Sequence, residues 1–185
     1  MDQLNLAIII ASTREGRLAP RITEWFVPTA RQHGRYAVDV IDLQEVDLPA
    51  ALTDSRPPAV ESYLARLARA DAFVVVTPEY NRGYPASLKQ AIDIAFEEWQ
   101  RKPVAFVSYG GVSGGLRAAE QLRQVFAELH AVAIRDGVCL PNCWSTFGAG
   151  AVPEGADAAA KTMLDQLDWW ASALRSARAA DPHAA

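Results

Sequence analysis

Apolar runs alternate with helix-period stretches along this chain. The first run, Leu4, Leu6, Ala7, Ile8, Ile9, Ile10 and Ala11, is nearly continuous and rich in β-branched residues. That composition suits a strand buried on both faces. Tyr36 to Leu43 sets Tyr36, Val38, Val40 and Ile41 among Asp39 and Asp42, and predicts a second, less buried strand. Further strands are predicted over Asp71 to Thr77, Pro103 to Ser108 and Ala131 to Leu140.

Between them the spacing predicts helices. Pro20 to His33 carries Ile22, Trp25, Phe26, Val27 and Ala30; Pro20 fits the first turn, Pro28 is a point for a kink or an early end, and Gly34 stops it. Helices follow over Pro58 to Ala70, Ala86 to Trp99, Leu116 to Leu129 and Ala156 to Ala177. The connector from Gln44 to Ala59, with Pro49, Pro57 and Pro58, is long for a compact domain and points to a functional or packed segment. Residues 1–178 read as one domain and 179–185 as a disordered tail.

Five βα alternations predict a parallel sheet with helices on both faces and right-handed crossovers. The ligand crevice then lies outside the carboxyl ends of the strands. The loops after the first, third and fourth strands all open at that edge.

Composition narrows the function. A chain of 185 residues, half of them hydrophobic, is globular with a sizeable core. Its net charge of −4 and the lack of a basic stripe argue against nucleic acid. No apolar run reaches the ~18 residues a membrane span needs. Asp2 and the immediate strand do not read as a signal peptide, so the cytoplasm is the expected compartment. Cys139 and Cys143 make no disulfide framework, and with His33, His130 and His183 scattered no metal site is expected.

The loops carry the chemistry. Ser12-Thr13-Arg14-Glu15-Gly16-Arg17, between a buried strand and a helix starting near Leu18, reads as an anion site of free N–H groups, hydroxyls and arginine forks. It matches neither G-x-G-x-x-G nor G-x-x-x-x-G-K-[ST], which favours a terminal phosphomonoester over a pyrophosphate. An ordinary βα turn with solvated arginines is the alternative. In the second loop, Pro78, Glu79, Tyr80 and Asn81 offer backbone amides and an aromatic face for a planar ring. Glu79 reads sooner as a helix cap or solvated carboxylate than as an acid or base. In the third loop, Tyr109-Gly110-Gly111 lets backbone approach a ligand closely. A phosphate grip, a ring platform and a close wall together suggest a flavin mononucleotide.

Ser12-Thr13-Arg14, Thr77-Pro78-Glu79-Tyr80-Asn81 followed by Gly83-Tyr84-Pro85 and Leu88-Lys89, and Tyr109-Gly110-Gly111 resemble the NADPH-dependent FMN reductase family, the flavodoxin-like group that includes quinone, azo-dye and chromate reductases. The resemblance runs from about Leu4 to Leu140. It departs at Ala11, where a glycine is common, and at Arg17, where a small hydroxyl residue is frequent. Arg17 either replaces that hydroxyl at the phosphate or points to solvent.

The resemblance implies a flavodoxin-like three-layer sandwich, a five-stranded parallel sheet in the order 2-1-3-4-5. It implies non-covalent FMN, held by Ser12, Arg14 and Arg17 around the phosphate, by Pro78, Glu79, Tyr80 and Asn81 along the ring and ribityl chain, and by Ser108, Tyr109, Gly110 and Gly111 opposite, with Leu18 also among the cofactor-binding residues. NADPH or NADH reduces the flavin, and a small acceptor then takes the electrons. No protein side chain is expected to be catalytic. A homodimer or homotetramer is implied, with contacts at the Gln44–Ala59 connector and at Tyr80–Tyr84. The competing reading is a flavodoxin-type electron carrier that does not oxidise NAD(P)H itself; a phosphate-binding or hydrolytic α/β protein without flavin is a third.

Overall fold

A computed structural model describes residues 3–52 and 55–181. The strands are β1 (Leu4–Ile10), β2 (Tyr36–Asp42), β3 (Ala72–Pro78), β4 (Pro103–Tyr109), β5 (Val132–Ala133) and β6 (Val138–Leu140). The helices are α1 (Ala19–Gln32), α2 (Pro58–Arg69), α3 (Ala86–Asp93), α4 (Leu116–Glu128) and α5 (Ala156–Ala180). The sheet is parallel, in the order β2-β1-β3-β4-β5, with β6 also beside β4. This is the expected doubly wound order.

Alternation within each strand sorts the core into two halves. Leu6, Ile8 and Ile10 of β1, with Ala72, Val74 and Val76 of β3, pack under α1 and α5. Ala7, Ile9, Phe73 and Val75 point the other way, under α2, α3 and α4. β3 and β4 are buried along their whole length, because helices cover both of their faces. β2 is an edge strand of mostly intermediate burial, as its aspartates foretold.

α1 covers the expected stretch, passing through Pro28 without the early end and stopping before Gly34, whose φ is +78°. Three elements differ from the sequence-based expectation. α3 ends at Asp93 instead of Trp99. Beyond it Trp99 turns into the core between Phe73 and Phe126, at ring separations of 4.6 and 5.4 Å, and its Nε1 donates to the Ile92 carbonyl, which also accepts from the Ala95 N–H. The predicted fifth strand is two short pieces. Between them a Cβ at Gly137 would meet the Phe106 carbonyl at 2.9 Å. The Arg123 guanidinium takes the carbonyls of Ile134 and Arg135 that leave the ladder. α5 carries Ala179 and Ala180 in its last turn, where a frayed tail was expected; residues 182–185 of that tail lie outside the described residues.

The first part of the connector after β2 is packed. Val46 and Leu48 lie against the α2–α4 half of the core, and Gln90 Nε2 donates to the Pro49 carbonyl.

Candidate functional site

Strand ends β1, β3 and β4 open on one cavity of ≈590 Å³. Of the twelve predicted cofactor residues, all line it except Ser108 and Gly111. The fold thus gathers three loops that lie far apart in sequence, within the 300–1,000 Å³ range of ordinary ligand sites.

At the first loop the N–H groups of Thr13, Arg14, Glu15 and Gly16 donate to no protein acceptor among the described residues. α1 begins beside them with Leu18 as N-cap and no side-chain cap, and with proline in its first turn. Unpaired amides at a helix start are the ordinary anchor of a phosphate. Arg14 lines the cavity, is exposed and has no protein partner among the described residues.

Arg17 lines the cavity, and its side chain is not free in solvent. Its guanidinium pairs bidentately with Asp42 at the end of β2, at 2.5 and 2.6 Å, and donates to the Ser12 carbonyl at 2.6 Å. Hydrogen bonding to Asp42 raises its already high pKa against the opposing effect of burial, so it is a fixed cation. Arg17 therefore ties the first loop to the end of β2.

Ser12 is fully buried, and its hydroxyl lies 2.6 Å from the Tyr80 hydroxyl. Burial pushes the Tyr109 phenol well above its usual value, with a smaller push from Tyr80 and a partial offset from Ser12. Tyr109 is therefore a neutral hydroxyl. Ser12 and Tyr80 come from two different loops, and their hydroxyls tie those loops together.

Glu79 is a helix cap supplied from another loop. Its carboxylate accepts from Ser113 Oγ at 2.8 Å, from the Arg117 N–H at 3.1 Å and from the Arg117 guanidinium at 2.6 Å. Burial pushes its pKa up, but the bonds from Arg117 and Ser113 outweigh that and hold the carboxyl below its usual range. An anion so engaged has little left for proton transfer.

Ser108 and Gly111 lie outside the lining. The Ser108 hydroxyl is buried and donates to the Gly114 carbonyl at 2.9 Å, so it supports the turn from within. The Gly111 carbonyl accepts from Asn142 and Gly114. The turn's steric need for glycine lies further along. A Cβ at Gly115 would sit 2.7 Å from the Tyr109 nitrogen, at a φ of +85°. A Cβ at Gly110 would meet only contacts of 3.4 Å or more.

The lining also includes Glu15, Gly16 and Trp144. Trp144 was not anticipated. The Asn142 and Cys143 N–H groups bond the Gly111 and Gly110 carbonyls, which sets Trp144, 64% exposed, at the cavity mouth. The available signal was positional: this loop follows the last strand, so it opens at the same edge as the others.

A doubly wound parallel sheet with a cavity at its carboxyl edge, lined by residues of the uncapped start of α1 and by Tyr80 and Tyr109, is the architecture of the flavodoxin-like mononucleotide-binding proteins. The NADPH-dependent FMN reductase family matches residues 4–145, and the chain belongs to that family. Its chemistry is FMN-dependent oxidation of NAD(P)H. A NAD(P)H-dependent FMN reductase of Schizosaccharomyces pombe is 33% identical over 150 residues, covering 74% of each chain. A quinone reductase of Escherichia coli K12 is 26% identical over 172 residues, 89% of this chain and 87% of its own. The solved structure of FerB, a NAD(P)H:acceptor oxidoreductase from Paracoccus denitrificans, superposes with a TM-score of 0.76 at 25% identity, over 92% of this chain and 98% of its own.

Proposed function

We propose that the four loops hold FMN non-covalently, with its phosphate on the Thr13–Gly16 amides and Arg14. The ring then lies along Pro78–Asn81, with Tyr109 and Gly110 opposite and Trp144 at the mouth. The observation that supports this most is the run of Thr13–Gly16 amides, unpaired among the described residues, beside the uncapped start of α1, with Arg14, Glu15 and Gly16 lining the cavity that also contains Tyr80 and Asn81. Bound there, FMN supplies hydride acceptance from NAD(P)H and release of electrons to a second small molecule.

The chain's own residues bind and orient. Arg14 neutralises phosphate charge; Ser12 and Tyr80 hold the first and second loops at fixed spacing; Glu79 keeps the third loop against the second. The acceptor is a free flavin, quinone, azo compound or metal oxyanion. Relatives named quinone reductases and the apolar face of Trp144 favour a quinone. We place the protein in the cytoplasm, where its free thiols Cys139 and Cys143 stay reduced. We propose a homodimer or homotetramer, with contacts around exposed Leu52 on the connector and Phe96 after α3.

An absorbance spectrum before and after anaerobic NADPH tests the reading. Flavin bands that NADPH bleaches support it. Bands that stay unbleached identify an electron carrier, and protein that takes up no FMN refutes the site. Arg14→Ala is expected to weaken FMN binding about tenfold or more, the scale of one charge-assisted contact, with the fold intact. Light scattering at working concentration checks the assembly.

A further inference from the structure

The second loop turns on two residues with left-handed backbone. Asn81 has φ +48° and Arg82 φ +71°, and Tyr80 and Gly83 exchange both backbone hydrogen bonds, at 2.8 and 2.9 Å. This is the two-residue hairpin turn that prefers Asn followed by Gly. Asn81 suits its place. Arg82 does not, because a Cβ makes left-handed backbone unfavourable. The turn is not self-sufficient, yet it carries Tyr80 and Asn81 into the cavity.

Helix α4 supplies what the turn lacks. Arg117 and Gln121 are one helical turn apart on the same face. Arg117 holds Glu79, at the entry to the turn, through its guanidinium at 2.6 Å and its N–H at 3.1 Å. Gln121 Nε2 donates to the Arg82 carbonyl at 2.9 Å, inside the turn. A Cβ at Gly83 would meet Gln121 Oε1 at 3.3 Å, so helix and turn are in close contact there. Neither side chain lines the cavity.

We propose that Arg117 and Gln121 are positioning residues for the flavin. They grip both ends of the Glu79–Gly83 turn and hold its left-handed conformation, which sets Tyr80 and Asn81 against the ring. This rests on the FMN reading above. The residues of α4 that face the core are Ala118, Ala119, Leu122 and Phe126, so the helix packs without either grip.

The test is titration of flavin-free protein with FMN, followed by flavin fluorescence, with thermal melts as folding controls. Arg117→Ala combined with Gln121→Ala is expected to raise the FMN Kd about tenfold, the ratio one ordinary hydrogen-bonded contact supplies. The decisive arm is rescue. Arg82→Gly places glycine where the turn prefers it. In the Gln121→Ala background it is expected to bring the Kd back toward wild type, which a merely structural role for α4 would not allow. An unchanged Kd in the double variant overturns the proposal, as does binding weakened by Gln121→Ala alone that Arg82→Gly leaves uncorrected. A wild-type chain that takes up no FMN sinks the cofactor reading and this proposal together; uptake with unaltered affinity in the double variant sinks this proposal alone.

Discussion

Asp42→Ala removes the group that holds the first loop to the sheet. Asp42 and Arg17 keep only 13% and 12% of their side chains exposed. The pair is bidentate, and Asp42 also accepts from the Gln44 N–H at 3.0 Å. After the change the Arg17 guanidinium retains only the Ser12 carbonyl. Breaking a buried ion pair from one side costs ~3–5 kcal/mol, chiefly because the remaining charge has no partner. About an eighth of each side chain still meets water, so the expected loss is nearer ~2–4 kcal/mol. For a chain of this length that is a fall in melting temperature of about 5–15 °C.

Circular dichroism melts of flavin-free protein read that shift. Arg17→Met with Asp42→Leu removes both charges and leaves apolar volume, and is expected to recover most of the loss. FMN binding is expected to weaken in Asp42→Ala, because the Thr13–Gly16 amides lose their anchor to β2. A melting change under about 2 °C, or a double variant less stable than Asp42→Ala, would refute the reasoning. Tighter FMN binding in Asp42→Ala would return Arg17 to the phosphate as a direct ligand.

Gly115→Ala is expected to cost at least ~3 kcal/mol, since left-handed backbone and overlap with Tyr109 act together, whereas Gly16→Ala, with open space around it, costs about 1 kcal/mol; urea unfolding compares them. Glu79 has a depressed pKa, so its contribution to stability is fully present above pH 4.5 and is lost as pH falls through its folded value; Glu79→Gln lacks that dependence in melts between pH 3 and 6. Lys102 is pushed down to about 8, mainly by burial, with its Nζ on the Leu67 and Ala68 carbonyls that end α2. The unfolded chain then holds a proton that the folded chain has released, so wild type gains stability over Lys102→Met as pH rises from about 8 to 10.5, read by denaturant titration. Trp144→Ala is expected to change stability by no more than about 0.5 kcal/mol, as surface substitutions do, yet to raise the KM for a planar quinone in steady-state assays.

The sheet and its order were legible because each strand announces itself by apolar content and each crossover by helical period. The cavity was legible for a related reason: parallel topology sends every βα loop to one edge, so residues such as Arg14, Tyr80 and Gly110 meet whatever their distance in sequence. The missed boundaries share a cause. Trp99 ends α3 early because its indole is worth more between Phe73 and Phe126 than on a continued helix, and that exchange depends on partners some 26 residues away on either side. Arg123 splits the last strand by taking its carbonyls from the neighbouring helix. Propensity along the chain contains neither fact.

The division of labour inside the site was less legible than its membership. Arg14 and Arg17 look alike in the sequence, three residues apart in one polar loop. Only the position of Asp42, at the end of a strand that pairs with β1, makes Arg17 a buried strut and leaves Arg14 open to the cavity. Ser108 and Ser12 are alike in the same way: each is a buried hydroxyl at a strand end, yet one faces a turn carbonyl and the other a tyrosine on the cavity wall. Residue type selects which groups can serve a phosphorylated ring. Which of them do so is decided by the partners that claim the rest, and those partners come from elements the local pattern does not connect. The Thr13–Gly16 amides and the Arg14 guanidinium, which no protein group claims among the described residues, are exposed beside the start of α1 and are therefore the donors open to an anion there.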